Sequence, residues 1–240
     1  MKRRLAIVLL ATLASSLWAP GEGAALDLDV GARVGGNWNI LARPTDPIGE
    51  PTILFGSAFS GFGFSLGPSA ALDVYHIEGA ARLIVSADLL YSYHAGSGYA
   101  EHAASAQKRT VTIATHTVRV PLLLHLAGEE RKTGMRIGAG VDLIAGLSSQ
   151  STVVEEGIPG QPQPLDTMPK THITGTMLLA FDYHQPSYFI PLEARFTWNP
   201  SVPRSTRERF DGYKSFDEPG RYQVAFNWQI MLMTGFSWGL

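Results

Sequence analysis

Residues 222–240 read YQVAFNWQIMLMTGFSWGL. The even positions carry Tyr222, Val224, Phe226, Trp228, Ile230, Leu232, Phe236, Trp238 and Leu240, with Thr234 as the exception. The odd positions carry Gln223, Ala225, Asn227, Gln229, Met231, Met233, Gly235, Ser237 and Gly239. Successive side chains of a β-strand point to opposite faces, so this alternation predicts a strand with one apolar face. Phe226 and Trp228 are separated from Phe236 and Trp238 by Ile230, Leu232 and Thr234. A tilted strand crosses a bilayer in about 9–11 residues, so the two aromatic pairs fit its two interfaces.

Seven earlier segments repeat the pattern: 26–35, 62–76, 81–93, 110–126, 135–147, 173–184 and 189–198. In the third, Leu83, Val85, Ala87, Leu89, Tyr91 and Tyr93 oppose Arg82, Ser86, Asp88 and Ser92. In the seventh, Ile190, Leu192, Ala194, Phe196 and Trp198 oppose Glu193, Arg195 and Thr197. A soluble sandwich also alternates. Here, however, the polar faces carry single charges of both signs rather than a wet surface rich in Lys and Thr. The acids are Asp27, Asp29, Asp73, Asp88, Asp142, Asp182 and Glu193, and the bases are Arg33, Arg82, Arg119, Arg136 and Arg195. A narrow eight-stranded barrel is filled by inward side chains. Charges there must be paired to offset desolvation.

Connection lengths also alternate. Residues 77–80, 127–134 and 185–188 form short joints, whereas 36–61, 94–109, 148–172 and 199–221 form long ones. Short periplasmic turns and long external loops are the pattern of membrane barrels. An unpaired strand edge in hydrocarbon costs several kcal/mol per group, so the first and last strands are expected to pair. The expected fold is therefore all-β: a closed antiparallel up-and-down transmembrane barrel of eight strands. Ten strands stay open, and 53–55 and 152–154 could extend strands beyond the membrane. Pro68, Pro121 and Pro191 cannot donate to a ladder and are expected at bulges or near the rim.

The N-terminus reads as an export signal. Lys2, Arg3 and Arg4 precede the apolar run Leu5–Leu13, and Gly23, Ala24 and Ala25 supply small residues. Cleavage is expected after Ala25, with Ala19 as the alternative, giving a signal peptide at 1–25 and a barrel at 26–240. Beyond the signal, no stretch reaches the 18 or so continuous apolar residues of a spanning helix. The sequence has no cysteine, which excludes a lipid-anchored lipoprotein, disulfides and thiolate metal sites. Charged residues make up 17% of the chain, below the roughly 25% of soluble domains, as a lipid-facing surface would require. The formal charge of −2 gives no sign of a nucleic-acid partner.

The run Arg119–His125, RVPLLLH, resembles a strand of the PorT-like group of small bacterial outer-membrane barrels. Gly61–Val74 resembles the second strand of that group, and the whole pattern is similar to OmpW-like and opacity-type barrels. The C-terminus resembles their assembly signal, although it ends Trp238-Gly239-Leu240 in place of a terminal aromatic. The resemblance implies a Gram-negative outer membrane, with its lipid, lipopolysaccharide and barrel-assembly machinery as partners. It implies no particular chemistry and leaves any external ligand unknown.

Enzymes occur among small barrels, and their constellations are missing here. A lipid A deacylase site would need His-x-Ser, and the nearest approach is His172-Ile173-Thr174. A palmitoyltransferase site would need Asp-Ser, which does not occur. Of the seven histidines, His94 and His102 are expected to share one external loop with Glu101, a weak metal grouping more simply read as ordinary loop or lumen residues. Glu155, Glu156 and the charges of 204–209 read as solvated loop residues. No catalytic residue, cofactor or metal is expected. The candidate functional set is the twelve lumen charges named above, structural or pore-lining. To these is added an aromatic girdle of Tyr91, Tyr93, Phe196, Trp198, Phe226, Trp228, Phe236 and Trp238. The expected role is structural or surface interaction. A narrow solute channel is the first alternative, and a lipid-modifying enzyme the second.

Overall fold

The structure is a computed structural model that describes residues 27–41, 53–55, 59–77, 81–102, 107–128, 133–157, 162, 164, 167–200 and 222–239. The expected signal segment 1–25 lies outside these. The elements are β1 Leu28–Leu41, β2 Ile53–Phe55, β3 Ser60–Ile77, β4 Ala81–Asp88, β5 Leu90–His102 and β6 Gln107–Gly128. They continue with β7 Thr133–Glu156, β8 Thr167–Pro169, β9 His172–His184, β10 Phe189–Trp198, β11 Tyr222–Val224 and β12 Phe226–Gly239.

Among the described residues the ladder closes into a ring of eight antiparallel staves. β4 and β5 form one stave interrupted at Leu89, because both pair with β3 on one side and β6 on the other. The order then runs β6, β7, β9, β10, β12, β1 and back to β3. Closure is made by β1, which pairs with β12 from Asp29↔Gly239 to Leu41↔Phe226 and with β3 from Leu28↔Leu72 to Ile40↔Ser60. The expected eight-stranded barrel is therefore the fold, with no exposed edge around the ring. Ile53–Phe55 pairs only with Ala100–His102, and β8 and β11 form a separate parallel pair, so none of the three is a ninth or tenth stave.

Two expected loops are instead strand. β5 and β6 continue pairing out to His102↔Gln107, through much of the connection assigned to 94–109. β6 and β7 continue out to Lys108↔Glu156, through the first part of 148–172. β7 has 24 residues, roughly 80 Å at about 3.3 Å per residue. That is more than twice a bilayer crossing, so β5, β6 and β7 project beyond the ring at the end opposite the chain termini. The polar, Thr- and Ser-rich alternation of this stretch falls below an apolar criterion for strands but still pairs its backbone in full.

Of the three prolines, Pro191 lies near the rim at the start of β10 and Pro68 faces a break in the neighbouring stave, whereas Pro121 departs from expectation. Pro121 stands opposite Asp142, and Pro191 opposite Asp182, in uninterrupted register without a bulge. Pro68 lies where the neighbouring stave breaks, and its carbonyl accepts from the Leu89 amide at 3.0 Å. Register shifts occur elsewhere, at Asp73/Tyr75, His116/Thr117 and Ile40/Leu41.

The outer face is apolar around the ring. Leu192, Leu232, Met177, Phe181, Ile137, Leu124, Val85 and Val34 are all exposed, Leu192 to 60% and Leu232 to 63%. Monomeric soluble proteins rarely expose contiguous apolar area on this scale. The inward face is polar and charged over most of its height, the inverse of a water-soluble barrel. No described helix is long and apolar enough to cross a membrane, which does not bear on a crossing made by strands.

Candidate functional site

The interior is built from the inward residue of each stave. Glu193 on β10 is its electrostatic centre. Its carboxylate accepts from Arg33 Nε at 3.0 Å, from Arg195 Nη2 at 2.5 Å and from Arg136 Nη2 at 3.4 Å. Arg136 Nε also meets Asp182 at 2.5 Å, and Arg195 Nη1 donates to Asp88 at 2.6 Å. Three acids and three bases from β1, β4, β7, β9 and β10 thus cancel in one buried network. Arg33 adds a bond to Ser237 Oγ at 2.8 Å, which ties the network to β12.

Above this layer, Arg119 pairs with Asp142 and donates to Gln229. Gln229 lies 3.1 Å from His94 Nδ1, which lies 2.9 Å from Asn37 Oδ1. Asn37 Nδ2 donates to Ser65 Oγ, which sits 2.6 Å from Ser92 Oγ. Leu90, Met231 and Met233 form a small buried apolar cluster on the staves beside these networks. Below them Arg82 Nη1 donates to Asp73 at 2.7 Å, and Ser86 Oγ lies 2.5 Å from His125 Nε2. No column of unmatched charge runs through the described interior. Charge is neutralised layer by layer, as burial demands.

Toward the projecting end the interior becomes apolar. Leu41, Phe59, Val111, Ile113, Ile144, Val224 and Phe226 form one buried cluster across five elements and residue 59. A Cβ at Gly98 would stand 2.8 Å from the Phe59 ring, so glycine there is what lets this ring lie across the wall. The cluster caps the polar interior at the end where β5, β6 and β7 project.

Of the twelve expected lumen charges, Arg33, Asp73, Asp88, Arg119, Arg136, Asp142, Asp182, Glu193 and Arg195 are buried inside. Asp29 and Arg82 are half-buried, and Asp27 is exposed at the terminus-bearing rim. Of the girdle aromatics, Tyr91, Phe196, Trp198, Phe236 and Trp238 are exposed on the outer face, and Tyr93 and Trp228 are half-buried. Trp228 packs edge-on against Trp38 at 5.1 Å, and Phe236 stacks on Tyr188 at 4.7 Å. Phe226 is the correction. Leu41 pairs with Phe226 while Ile40 pairs with Trp228, so Asn227 is an extra residue in β12. That bulge shifts the side-chain parity, turning Phe226 inward beside His94 at 4.4 Å between ring centres.

The expected histidine loop is also corrected. His94 is 1% exposed on the inner face of β5, not in a loop, and so is not grouped with His102 and Glu101. The side chains of Glu101 and His102 lie outside the described residues. His172 and Thr174, the nearest approach to a deacylase pair, both turn inward, away from the outer face on which such a site would meet lipid. His172 Nδ1 instead lies 2.9 Å from the Lys170 carbonyl. The polar layer of Asn37, Asn39, Ser65, Ser92, His94 and Gln229 was not singled out by sequence. Its signal was present in the parity of the charged positions, but uncharged polar residues stand out less.

No protein-family model matches the chain, and no curated protein matches it. Solved structures give distant likenesses. Neisserial surface protein A shares 11% identity over 88% of this chain and 96% of its own, with a TM-score of 0.39. The outer membrane protease OmpT of Escherichia coli shares 6% over 91% and 99%, with a TM-score of 0.37. The attachment invasion locus protein Ail of Yersinia pestis shares 8% over 89% and 99%, with a TM-score of 0.28. These neighbours are small outer-membrane barrels, and likeness at this level assigns this chain no residue role, ligand or activity.

Proposed function

We propose that this chain is a closed, non-conducting barrel of the bacterial outer membrane, with a structural or surface-interaction role carried by its projecting end. The observation that carries the reading is the interior. Glu193 holds Arg33, Arg136 and Arg195 in a charge-balanced network, and the apolar cluster around Phe226 lies over it. An ion following the barrel axis would have to break those pairs and then enter an apolar cap. The apolar outer face supports the membrane setting, and its exposed leucines and aromatics are suited to lipid tails and interfaces.

Planar-bilayer recording of the purified protein tests this reading. The expected result is no current above lipid background. Discrete steps that scale with salt would overturn it in favour of a narrow solute channel. Cell fractionation with an SDS gel, run with and without boiling, tests the setting. The expected result is an outer-membrane band that shifts in mobility only after boiling, and a soluble periplasmic protein without a shift would refute it.

A further inference from the structure

The terminus-bearing end of the barrel holds a group of potential ligands, of which Asp73 alone also takes part in the interior ion pairs, through Arg82. Asp27, just before β1, and Asp73 and His76, both on β3, each offer one donor atom, and these atoms lie within 4.8 Å of one another. His76 Nε2 stands 3.7 Å from Asp73 Oδ2. The group is held together by the backbone, because the Asp73 amide donates to the Asp27 carbonyl at 3.0 Å. The Asp73 side chain is 2% exposed, and its Oδ1 has no hydrogen-bond partner. A buried carboxylate oxygen without a partner is costly and asks for a ligand. Arg82 occupies only the other oxygen, Oδ2.

Asp29 lies within electrostatic reach of Asp27 and Asp73 and of Arg82 and Arg136, so carboxylates from β1 and β3 gather at this mouth beside two guanidinium groups. One imidazole and two carboxylates form a mixed N/O set that suits Zn²⁺ and neighbouring first-row ions better than Ca²⁺ or Mg²⁺. Bonds of about 2.0–2.2 Å place tetrahedral ligands roughly 3.4 Å apart. His76 Nε2 is near that distance from Asp73 Oδ2, the oxygen that Arg82 holds, and rotation of the exposed His76 and Asp27 side chains brings their donors to the neighbouring Oδ1. A cavity of about 310 Å³, lined by Asp27, Asp29, Arg82 and His184 among others, opens at the same end and borders the group at Asp27.

We propose that Asp27, Asp73 and His76 form a binding site for a first-row divalent cation, Zn²⁺ in the first instance, at the terminus-bearing mouth of the barrel. Arg82 holds the second oxygen of Asp73 and orients it toward the ion, as groups behind metal ligands do. Bound metal pins the start of β1 to β3, next to the seam where β1 closes the ring. The site does not depend on whether the barrel conducts.

Calorimetric titration of Zn²⁺ into the detergent-purified, chelator-treated protein tests the proposal. One ion is expected to bind per chain and to raise the thermal unfolding midpoint. His76→Ala and Asp27→Asn, both at exposed positions, are each expected to weaken binding at least about tenfold and to abolish the midpoint rise. Both variants are expected to keep the boiling-dependent gel shift, which separates loss of a ligand from loss of the fold. Absence of saturable binding to the parent protein would overturn the site. So would Zn²⁺ binding of unchanged strength in both variants, because the ion would then sit on other histidines.

Discussion

Replacing Glu193 by glutamine keeps the shape of the side chain and removes its charge from the centre of the barrel. Arg33, Arg136 and Arg195 then face one another with only Asp88 and Asp182 to balance them, leaving a net buried positive charge. At an effective dielectric near 20, unit charges 4 Å apart attract by about 4 kcal/mol. Three such contacts give a gross attraction on the order of 12 kcal/mol. Repulsion among the arginines and the desolvation of Glu193 itself offset most of that. Breaking a buried ion pair by removing one partner typically costs about 3–5 kcal/mol. The glutamine oxygen can still accept one hydrogen bond, so about 3 kcal/mol is the expected loss for Glu193→Gln. Urea unfolding in lipid vesicles, followed by tryptophan fluorescence and by gel mobility, would measure it. The paired replacement Arg33→Met with Glu193→Leu should lose less than Glu193→Gln, because an apolar pair leaves fewer charges unmatched. A loss below about 1 kcal/mol for Glu193→Gln would refute the reasoning. It would mean that water reaches the network and that the lumen is not plugged.

Further outcomes follow from the same packing. Leu192→Arg places a charge on the outer face in the middle of β10 and should cost about 2–4 kcal/mol in vesicle unfolding, whereas a water-facing position would tolerate it. Phe226→Ala removes a ring buried in the apolar cap and should cost about 3–5 kcal/mol by the same assay. Trp228→Ala, two residues on, removes a half-buried ring packed on Trp38 and should cost markedly less. Equal losses at 226 and 228 would contradict the bulge at Asn227. Gly175→Val would drive a side chain into the Trp198 ring on the outer face, and a shift of tryptophan emission without loss of the folded gel band would report it.

The alternation of residues 189–198 and 226–239 is a local property with a period of two, so sequence alone determined that these segments are strands and which face is apolar. It also determined that charges of both signs share the inner face, because parity sorts Glu193 and Arg195 from Leu192 and Ala194 without knowledge of any neighbour. Which charges meet is a different matter. Arg33 finds Glu193 across 160 residues, a pairing set by strand tilt and by the register of β1 on β12, and period carries no information on either. One extra residue, Asn227, reverses the parity of everything beyond it, so Phe226 counts as a lipid-facing aromatic by alternation yet lies in the interior cap. Apolar alternation fades after Tyr93, so His94 reads as a loop residue, while the backbone ladder continues to His102. Backbone hydrogen bonds form wherever a neighbouring strand is within reach, whatever the side chains read. Closure, reach and pairing were therefore decided by the tertiary fold, through contacts between strands far apart in the chain.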